Sequence, residues 1–306
     1  MLEKHVVRSR SLRSRLLGLM LRYRLKPKLT ATGFDPLRFR NWLNKNMNST
    51  PVKGVTCHPF AQENLRGEWL FPATESDSRC VLYLHGGGYL FGSPQSYRGF
   101  SSRLAQAMHA RIFVPDYRLA PEHPFPAAVE DAEAAYRYLL AQNIRPEQIV
   151  LAGDSAGGGL AFALLHVLQQ KQLPMPAAQI SLSPYTDLHA SGASLTENSN
   201  SCVMFDADTI PRAAAIYLDG ASADNPLASP LYGNLEGFPP QLMYVSDSEV
   251  LRDDGLRMAE KLGEAGVAVH LNIWHGQPHV WPVFYPLLPE ADVCIREMAA
   301  FAGRYW

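Results

Sequence analysis

Cysteine is scarce in this sequence of 306 residues, which contains four. They are Cys57, Cys80, Cys202 and Cys294, and no two have the close spacing of a zinc site or a redox dithiol. We therefore expect no metal centre. We expect free thiols in a reducing compartment, which favours a cytoplasmic protein, and disulfide pairing in an oxidising compartment is the alternative.

Excess charge and long apolar runs are also missing. The formal net charge is −1, so the overall charge attracts neither nucleic acid nor an anionic membrane. No run approaches the ~18 apolar residues that a membrane-spanning helix needs. With 47% apolar and 19% charged residues, the composition is that of a globular protein with a large core.

The first 28 residues are rich in Arg and Lys and contain one acid, Glu3. Their longest apolar run, 16–21, is shorter than the ~7–15 residues of a secretory signal core, and no small-residue cleavage site follows it. We expect a basic amphipathic helix whose apolar face caps a pocket, and contact with a membrane surface is the alternative. The residues at helical spacing on that face are Leu12, Leu16, Leu19, Met20 and Tyr23.

Short apolar segments alternate with helix-like segments through most of the chain. This alternation predicts an α/β fold with a mostly parallel sheet covered by helices on both faces. We predict helices within 1–45 and a polar turn over 72–79. Strands are predicted at 55–59, 67–71, 80–84, 112–114, 149–152, 179–182, 241–245 and 268–273. Further helices are predicted at 96–109, 127–142, 158–170, 207–218, 254–265 and 291–301.

One long interruption, from 182 to 241, separates two of the predicted strands. It is rich in Ser, Asn, Asp and Pro, and a stretch of that length inside a compact domain is usually functional. We expect one domain over 1–306, in which residues 1–45 and about 185–220 form a cap. The site should lie under this cap, since ligands of such sheets bind beyond the carboxyl ends of the strands.

A strand-like segment beginning at Ile149 runs into Gly-x-Ser-x-Gly, with Ser155 as the serine. A serine on a tight turn between a strand and a helix has the geometry of a nucleophile elbow, and small neighbours let the two elements pass closely. A phosphate-binding loop is the alternative. It is disfavoured because no Lys follows the glycines as in a P-loop, and their spacing is not Gly-x-Gly-x-x-Gly.

Three glycines follow the predicted strand at 80–84, in the segment His85-Gly86-Gly87-Gly88. Backbone N–H groups in such a loop can face a ligand without obstruction by side chains. In acyl transfer they would stabilise an oxyanion, each contributing about 2.7–4 kcal/mol. We assign this role to the N–H groups of Gly87, Gly88 and Ala156, and expect His85 to orient the loop. A flexible loop without function is the alternative.

A serine nucleophile needs a histidine base and an acid that orients it, in the chain order serine, acid, histidine. His275 and His279 follow the last predicted strand. We favour His279, because it lies deeper in the loop and can reach back over Ser155. The acid should follow the strand at 241–245. Spacing alone does not choose among its candidates, which are Asp247, Glu249, Asp253 and Asp254.

Three segments in this order resemble the bacterial hormone-sensitive-lipase family of α/β-hydrolases. They are HGGG at 85–88, DYRLAPEHPFPAA at 116–128 and GDSAGG at 153–158. The resemblance covers roughly residues 50–306 and implies an α/β-hydrolase fold without metal or cofactor. It implies that Ser155 is the nucleophile, that Gly87, Gly88 and Ala156 form the oxyanion hole, and that His279 is the base.

The resemblance also indicates the acid. The family commonly has Asp-Pro-Leu-x-Asp, and the corresponding run here is Glu249-Val250-Leu251-Arg252-Asp253. Glu249 therefore stands where the family has its catalytic Asp, and Asp253 is the fallback.

The implied activity is a serine carboxylic-ester hydrolase that forms an acyl-enzyme on small-molecule esters with short to medium acyl chains. The alternatives are an amidase or formamidase using the same site, or a non-catalytic ligand-binding protein on a hydrolase scaffold. No nucleic-acid partner is expected, and a homodimer is left open. The pocket candidates, which ordinary core packing would explain equally well, are Tyr89, Phe91, Met204, Phe205, Ile210 and Tyr217.

Overall fold

The structure, a computed structural model, describes residues 1–46, 50–74 and 79–306. In that part of the chain nine strands form one sheet: β1 Leu2–Val7, β2 Val55–Gln62, β3 Leu65–Pro72, β4 Cys80–Leu84, β5 Arg111–Pro115, β6 Ile149–Asp154, β7 Ala178–Leu182, β8 Gln241–Ser246 and β9 Val269–Trp274. Their order is β1-β9-β8-β7-β6-β4-β5-β3-β2. Neighbouring strands are parallel except β2–β3 and β3–β5. Residues 75–78 of the predicted polar turn lie outside the described residues.

Helices follow most of the strands. They are α1 Leu12–Met20, α2 Lys26–Leu29, α3 Pro36–Asn46, α4 Pro94–Met108, α5 Ala127–Ala141, α6 Ala156–Gln170, α7 Ser194–Glu197, α8 Thr209–Leu218, α9 Arg252–Glu264 and α10 Pro289–Ala302. A π-helical turn, Leu21–Leu25, joins α1 to α2, and 3₁₀ turns occupy Pro146–Gln148, Pro230–Tyr232 and Trp281–Phe284. Across the described residues, every helix is too short or too polar to cross a membrane.

The central strands are buried along their whole length. Every residue of β4 and of β6 is buried, as expected for parallel strands covered by helices on both faces. The α/β fold with a mostly parallel sheet is therefore confirmed. The eight predicted strands and the six helices predicted beyond residue 90 are also confirmed, to within a few residues at their ends. The four cysteines are free thiols, as predicted.

The prediction of helices within 1–45 is wrong for the first residues. Leu2–Val7 forms β1, which pairs in parallel with β9 from Leu2 opposite Val269 to Val7 opposite Trp274. The pairing satisfies the backbone groups along one edge of β9, and two valines at its end suit an extended conformation. Charged side chains on β1 then face solvent at the edge of the sheet, where they disfavour pairing with another strand.

The predicted apolar face of α1 and the following turn is also wrong. Its five residues are between 51% and 74% exposed: Leu12, Leu16, Leu19, Met20 and Tyr23. The buried side consists of Ser14, Leu17, Gly18 and Leu21. There the hydroxyl of Ser14 donates a hydrogen bond of 2.7 Å to Oε1 of Gln277. Because leucines occur on both sides of the helix, their spacing could not show which side packs against the protein.

The N-terminal helices contact the long segment between β7 and β8. Nζ of Lys26 donates to the carbonyls of Ser199 and Cys202 at 2.7 and 2.8 Å. From α8, Nη1 of Arg212 donates to the carbonyl of Ala31 at 2.9 Å. Two segments distant in sequence are thus joined, and both contribute to the walls of one cavity beyond the carboxyl end of β6.

Candidate active site

Ser155 occupies the sharp turn between β6 and α6. Its φ of 51° and ψ of −121° are a strained backbone conformation for a residue with a side chain. The turn depends on small neighbours: a Cβ on Gly153 would collide with the carbonyl of Gly157, and a Cβ on Gly157 would collide with the carbonyl of Leu84. The predicted elbow geometry is therefore present, and it has a steric cause.

The backbone of Ser155 is held on two sides. Its N–H donates to the carbonyl of Leu182 at 2.8 Å, and its carbonyl accepts from the N–H groups of Gly159 and Tyr185 at 3.0 and 2.9 Å. These bonds join the elbow to β7 and to the segment after it. The position of the serine is thus fixed by the backbone.

The glycine loop after β4 lies against the same cavity. Gly87 and Gly88 have φ values of +122° and +63°, which glycine adopts more readily than other residues. A Cβ on Gly87 would also collide with the carbonyl of Phe91. Both glycines line the cavity together with Ser155. Ala156 begins α6, where the N–H groups of the first turn have no partner within the helix.

Asp154 ties the elbow to the glycine loop, a role that the sequence analysis missed. Its Oδ1 accepts hydrogen bonds from the N–H of Gly86 at 2.9 Å and from the hydroxyl of Tyr83 at 2.7 Å. Its Oδ2 accepts from the hydroxyl of Tyr97 at 2.8 Å. Burial raises the pKa of Asp154 to about 6, against the opposing effect of these three hydrogen bonds. Asp154 lies inside the serine motif, but its partners lie far away in sequence.

His85 is buried behind the loop and does not reach the cavity. Its ring stacks on Tyr117 with centroids 4.2 Å apart, and its Nδ1–H donates to the carbonyl of Gly86 at 2.9 Å. The hydroxyl of Tyr117 donates to the carbonyl of His85 at 2.6 Å. Burial lowers the pKa of His85 to about 4, so the ring is neutral near pH 7. These contacts agree with the predicted role of orienting the loop.

His279 and Glu249 form a buried pair. Nδ1 of His279 lies 2.5 Å from Oε2 of Glu249, and both side chains are at most 2% exposed. The other carboxylate oxygen, Oε1, accepts from the N–H of Ser246 at 2.7 Å. A carboxylate can only accept, so Nδ1–H donates to it, and in the neutral imidazole Nε2 is then the acceptor. Among the described residues Nε2 has no hydrogen-bond partner, and His279 lines the cavity with Ser155.

The loop that carries His279 is fixed by contacts on either side of it. The N–H of Val280, which has a φ of 51°, donates to Oγ of Ser183 at 3.2 Å. On the other side, Gln277 accepts the hydrogen bond from Ser14 in α1. The loop of His279 is thus held both by the residue after β7 and by the N-terminal helix.

The alternative base and acids have other partners. His275 and Asp247 pair with each other, Nδ1 to Oδ2 at 2.6 Å, at a site where both are more than a third exposed. Asp253 accepts from the N–H of Ser194 at 2.9 Å and pairs with Arg252 at 2.8 Å. Asp254 is buried and accepts from two backbone N–H groups after β7. The structure therefore brings Glu249, rather than Asp253, to His279.

Ser155 and His279 line an apolar cavity of about 170 Å³. Four predicted pocket residues line it: Phe91, Met204, Phe205 and Ile210. The ring of Phe205 meets that of His279 edge-on, with centroids 5.1 Å apart. The N-terminal helices add residues that had not been assigned to the pocket, namely Leu25, Leu29, Phe34, Phe39 and Leu43.

The assignment of Tyr89 and Tyr217 to the pocket is wrong. Their rings stack face to face, with centroids 3.8 Å apart and planes inclined by 7°. Each is about 1% exposed, and neither lines the cavity. The two rings therefore belong to the core, and ordinary core packing, the alternative explanation for these aromatic residues, accounts for both.

The sheet order and the elbow define an α/β-hydrolase. In agreement, a family model described as the alpha/beta hydrolase fold matches residues 81–283. An acetyl-hydrolase from Streptomyces hygroscopicus is 46% identical over 76% of this chain and 78% of its own length. The crystal structure of EstE5 soaked by p-nitrophenyl butyrate has a TM-score of 0.92 at 36% identity, covering 97% of this chain and 99% of that one.

A further solved structure is described as an esterase from the bacterial hormone-sensitive lipase family. It has a TM-score of 0.91 at 37% identity, covering 97% of this chain and 99% of its own. The chain belongs to this family of α/β-hydrolases, and it is an esterase. The resemblance seen in the three sequence segments is thereby confirmed.

Proposed function

We propose that this esterase hydrolyses carboxylic esters through a Ser155–His279–Glu249 triad and an acyl-enzyme. The observation that carries the proposal is the buried His279–Glu249 pair, which leaves Nε2 of His279 free in the cavity that Ser155 lines. A serine hydroxyl is a weak nucleophile and needs such a base. The Glu249 carboxylate orients the ring and stabilises its protonated form as the proton arrives.

In the first half-reaction, Oγ of Ser155 attacks the ester carbonyl carbon while Nε2 of His279 takes the hydroxyl proton. The carbonyl oxygen becomes an oxyanion, which the N–H groups of Gly87, Gly88 and Ala156 stabilise. The C–O bond to the alcohol then breaks, and the alcohol leaves with the proton from Nε2. Ser155 remains acylated.

In the second half-reaction, water attacks the acyl carbon of Ser155. His279 takes a proton from the water as the bond forms, and the same N–H groups hold the new oxyanion. The bond to Oγ breaks, Oγ regains the proton from Nε2, and the carboxylic acid leaves. No group outside the protein and water is required.

The substrate preference follows from the size and character of the cavity. Its walls are apolar and its volume is about 170 Å³, which suits the burial of short to medium acyl chains. We propose that the N-terminal helices, from α1 onward, and residues 185–220 form a cap that limits the chain length. Strand β1 belongs to the sheet and not to this cap. The acetyl-hydrolase name of one relative and the butyrate ester soaked into EstE5 support short acyl groups.

A labelling experiment with a kinetic series tests this function. A fluorophosphonate probe should add once to the wild-type protein, on the peptide that contains Ser155, and not to Ser155→Ala. A series of p-nitrophenyl esters should give the highest kcat/KM at short to medium chains. Unchanged ester turnover by Ser155→Ala, or faster turnover of a matched anilide than of the ester, would contradict the proposal.

A further inference from the structure

The exposed side of α1 and the turn after it is unusually apolar for a protein surface. Its members, which we call the α1 outer face, are Leu12, Leu16, Leu19, Met20 and Tyr23, all more than half exposed. From Leu12 to Tyr23 the face extends over about 16 Å at 1.5 Å per residue. Single exposed apolar residues are common, but a continuous row of large ones marks an interaction surface.

Positive charge surrounds this face. Between positions 4 and 34 the sequence has nine Lys or Arg residues and no Asp or Glu. Arg13, Arg15 and Arg24 are exposed, and none has an ion-pair or hydrogen-bond partner among the side chains that the structure describes. Unpaired arginines on both sides of an apolar row are typical of a helix that lies on an anionic lipid surface.

The same face continues into a groove at the side of the active-site cavity. The groove is lined by Met20, Tyr23 and Arg24, and by Trp42, over whose ring Nζ of Lys28 lies at 5.2 Å. Groove and cavity share wall residues from the turn after α1, from α3 and from the 3₁₀ turn after β9: Leu25, Leu43, Val283 and Phe284. Tyr and Trp beside basic residues suit the boundary between lipid headgroups and acyl chains.

We propose that the α1 outer face binds the surface of a bilayer containing anionic lipids. The leucines insert into the headgroup boundary, while the arginines contact lipid phosphates. The helix lies along the surface and does not cross it. Since groove and cavity share a wall, this orientation presents the cavity to apolar esters dissolved in the bilayer. An anionic bilayer is favoured over a second copy of the chain, because two such faces would bring their arginines together.

Vesicle sedimentation tests the proposal. Wild-type protein should sediment with phosphatidylcholine vesicles that contain phosphatidylglycerol, much less with phosphatidylcholine alone, and less as salt is raised. Arg13→Glu/Arg15→Glu and Leu16→Ser/Leu19→Ser should each reduce partitioning by about tenfold or more. Both should keep the wild-type kcat/KM on a water-soluble acetate ester, because neither pair touches the cavity.

A charge-matched control removes effects of net charge alone. Arg145→Glu/Arg304→Glu makes the same change in charge at exposed positions on other elements, and it should sediment like the wild type. The proposal is overturned if the wild type does not bind the anionic vesicles, or if the control loses binding as the Arg13/Arg15 variant does. It is also overturned if the serine variant dissociates a dimer while wild-type protein ignores the vesicles, since the face would then bind a second copy.

Discussion

The carboxylate of Asp154 accepts a hydrogen bond of 2.9 Å from the backbone N–H of Gly86. One of these residues precedes the proposed nucleophile, and the other precedes the proposed oxyanion donors. A single buried side chain therefore sets the distance between the elbow of β6 and the loop after β4. Two tyrosines complete the arrangement by donating to the same carboxylate.

Removing one of these tyrosine hydroxyls should impair catalysis without removing a catalytic group. The hydroxyl of Tyr97 donates to Asp154 and accepts from the N–H of Gly86 at 3.1 Å. We expect Tyr97→Phe to lower kcat by about tenfold with little change in KM. This loss is smaller than the 10²–10³-fold fall in kcat, about 2.7–4 kcal/mol, that follows removal of an oxyanion donor. Steady-state kinetics measures this. Tyr136→Phe, whose hydroxyl bonds to the carbonyl of Pro174, is the matched control and should behave as wild type.

The two histidines after β9 should differ sharply. His279→Ala removes the proposed base and should lower kcat by roughly 10⁴-fold or more. His275→Ala breaks only the exposed pair with Asp247 and should change kcat less than about threefold, since surface pairs contribute little. Turnover of one soluble ester by both variants provides the comparison. Equal losses would exclude the assignment of His279 as the base.

Substitutions of the two candidate acids should have different effects: the change at Glu249 should lower activity, and the change at Asp253 should lower stability. Glu249→Gln keeps the shape but removes the charge that orients His279, and we expect kcat to fall by about 10²–10⁴-fold. Asp253→Asn loses its pairing with Arg252 and should leave kcat nearly unchanged. Its cost should appear as about 0.2–1 kcal/mol in the free energy of unfolding, the range for a partly exposed ion pair, because an Asn oxygen can still accept from the N–H of Ser194. A larger fall in kcat for Asp253→Asn would reverse the assignment.

The buried His85 should make stability sensitive to acid. Its pKa is lowered to about 4 in the folded state, against about 6.5 when unfolded. Between these values the unfolded chain binds more protons, so stability is lost as the pH falls from about 6.5 to about 4. The loss attributable to His85 is on the order of 3 kcal/mol at about 1.4 kcal/mol per pH unit.

Urea unfolding of the wild type and of His85→Phe at several pH values measures this contribution. The phenylalanine keeps an aromatic ring against Tyr117 but cannot titrate. The wild type should therefore lose more stability on acidification than the variant does. The contribution of Asp154 to stability changes with pH in the opposite direction, because its pKa is raised in the folded state. Asp154 is present in both proteins, so its contribution cancels when their stabilities are compared. Parallel pH profiles would show that His85 does not contribute.

The wall of the cavity should determine acyl-chain preference. Ile210 lines the cavity, whereas Tyr217, about two turns further along α8, does not. Ile210→Ala enlarges the space and should shift the kcat/KM optimum toward longer acyl chains, at about 0.8 kcal/mol for each additional CH₂ that becomes buried. Tyr217→Phe should leave the optimum unchanged. A chain-length series on both variants tests the pair.

The parts of the site that the sequence could predict have local causes. The elbow and the glycine loop depend on steric requirements that are visible in neighbouring residues, such as Gly153 and Gly157 around Ser155. The order of strands along the chain then gave the loops in which His279 and Glu249 had to lie. The choice of Glu249 over Asp253 needed the family resemblance, since the spacing allowed four carboxylates.

The parts that failed depend on contacts between distant segments. Nothing local indicates that Leu2–Val7 pairs with β9 or that Asp154 binds a tyrosine 57 positions earlier in the chain. Leucines on both sides of α1 gave no basis for choosing the buried side. Tyr89 and Tyr217 were assigned to the pocket from residue type, but each ring packs against the other.

The parallel pairing of β1 with β9 has a consequence for how this chain becomes an active enzyme. The carbonyl of Val7 accepts from the N–H of His275 at 2.9 Å, and Ser14 holds Gln277, so residues at one end of the chain steady the loop at the other. These contacts cannot form until residues 275–277 have been synthesised, and closing so long a loop is slow. We therefore expect the contacts that support the histidine loop to form late in folding. A variant shortened by the first ten residues would retain the elbow but lose part of the support for its base.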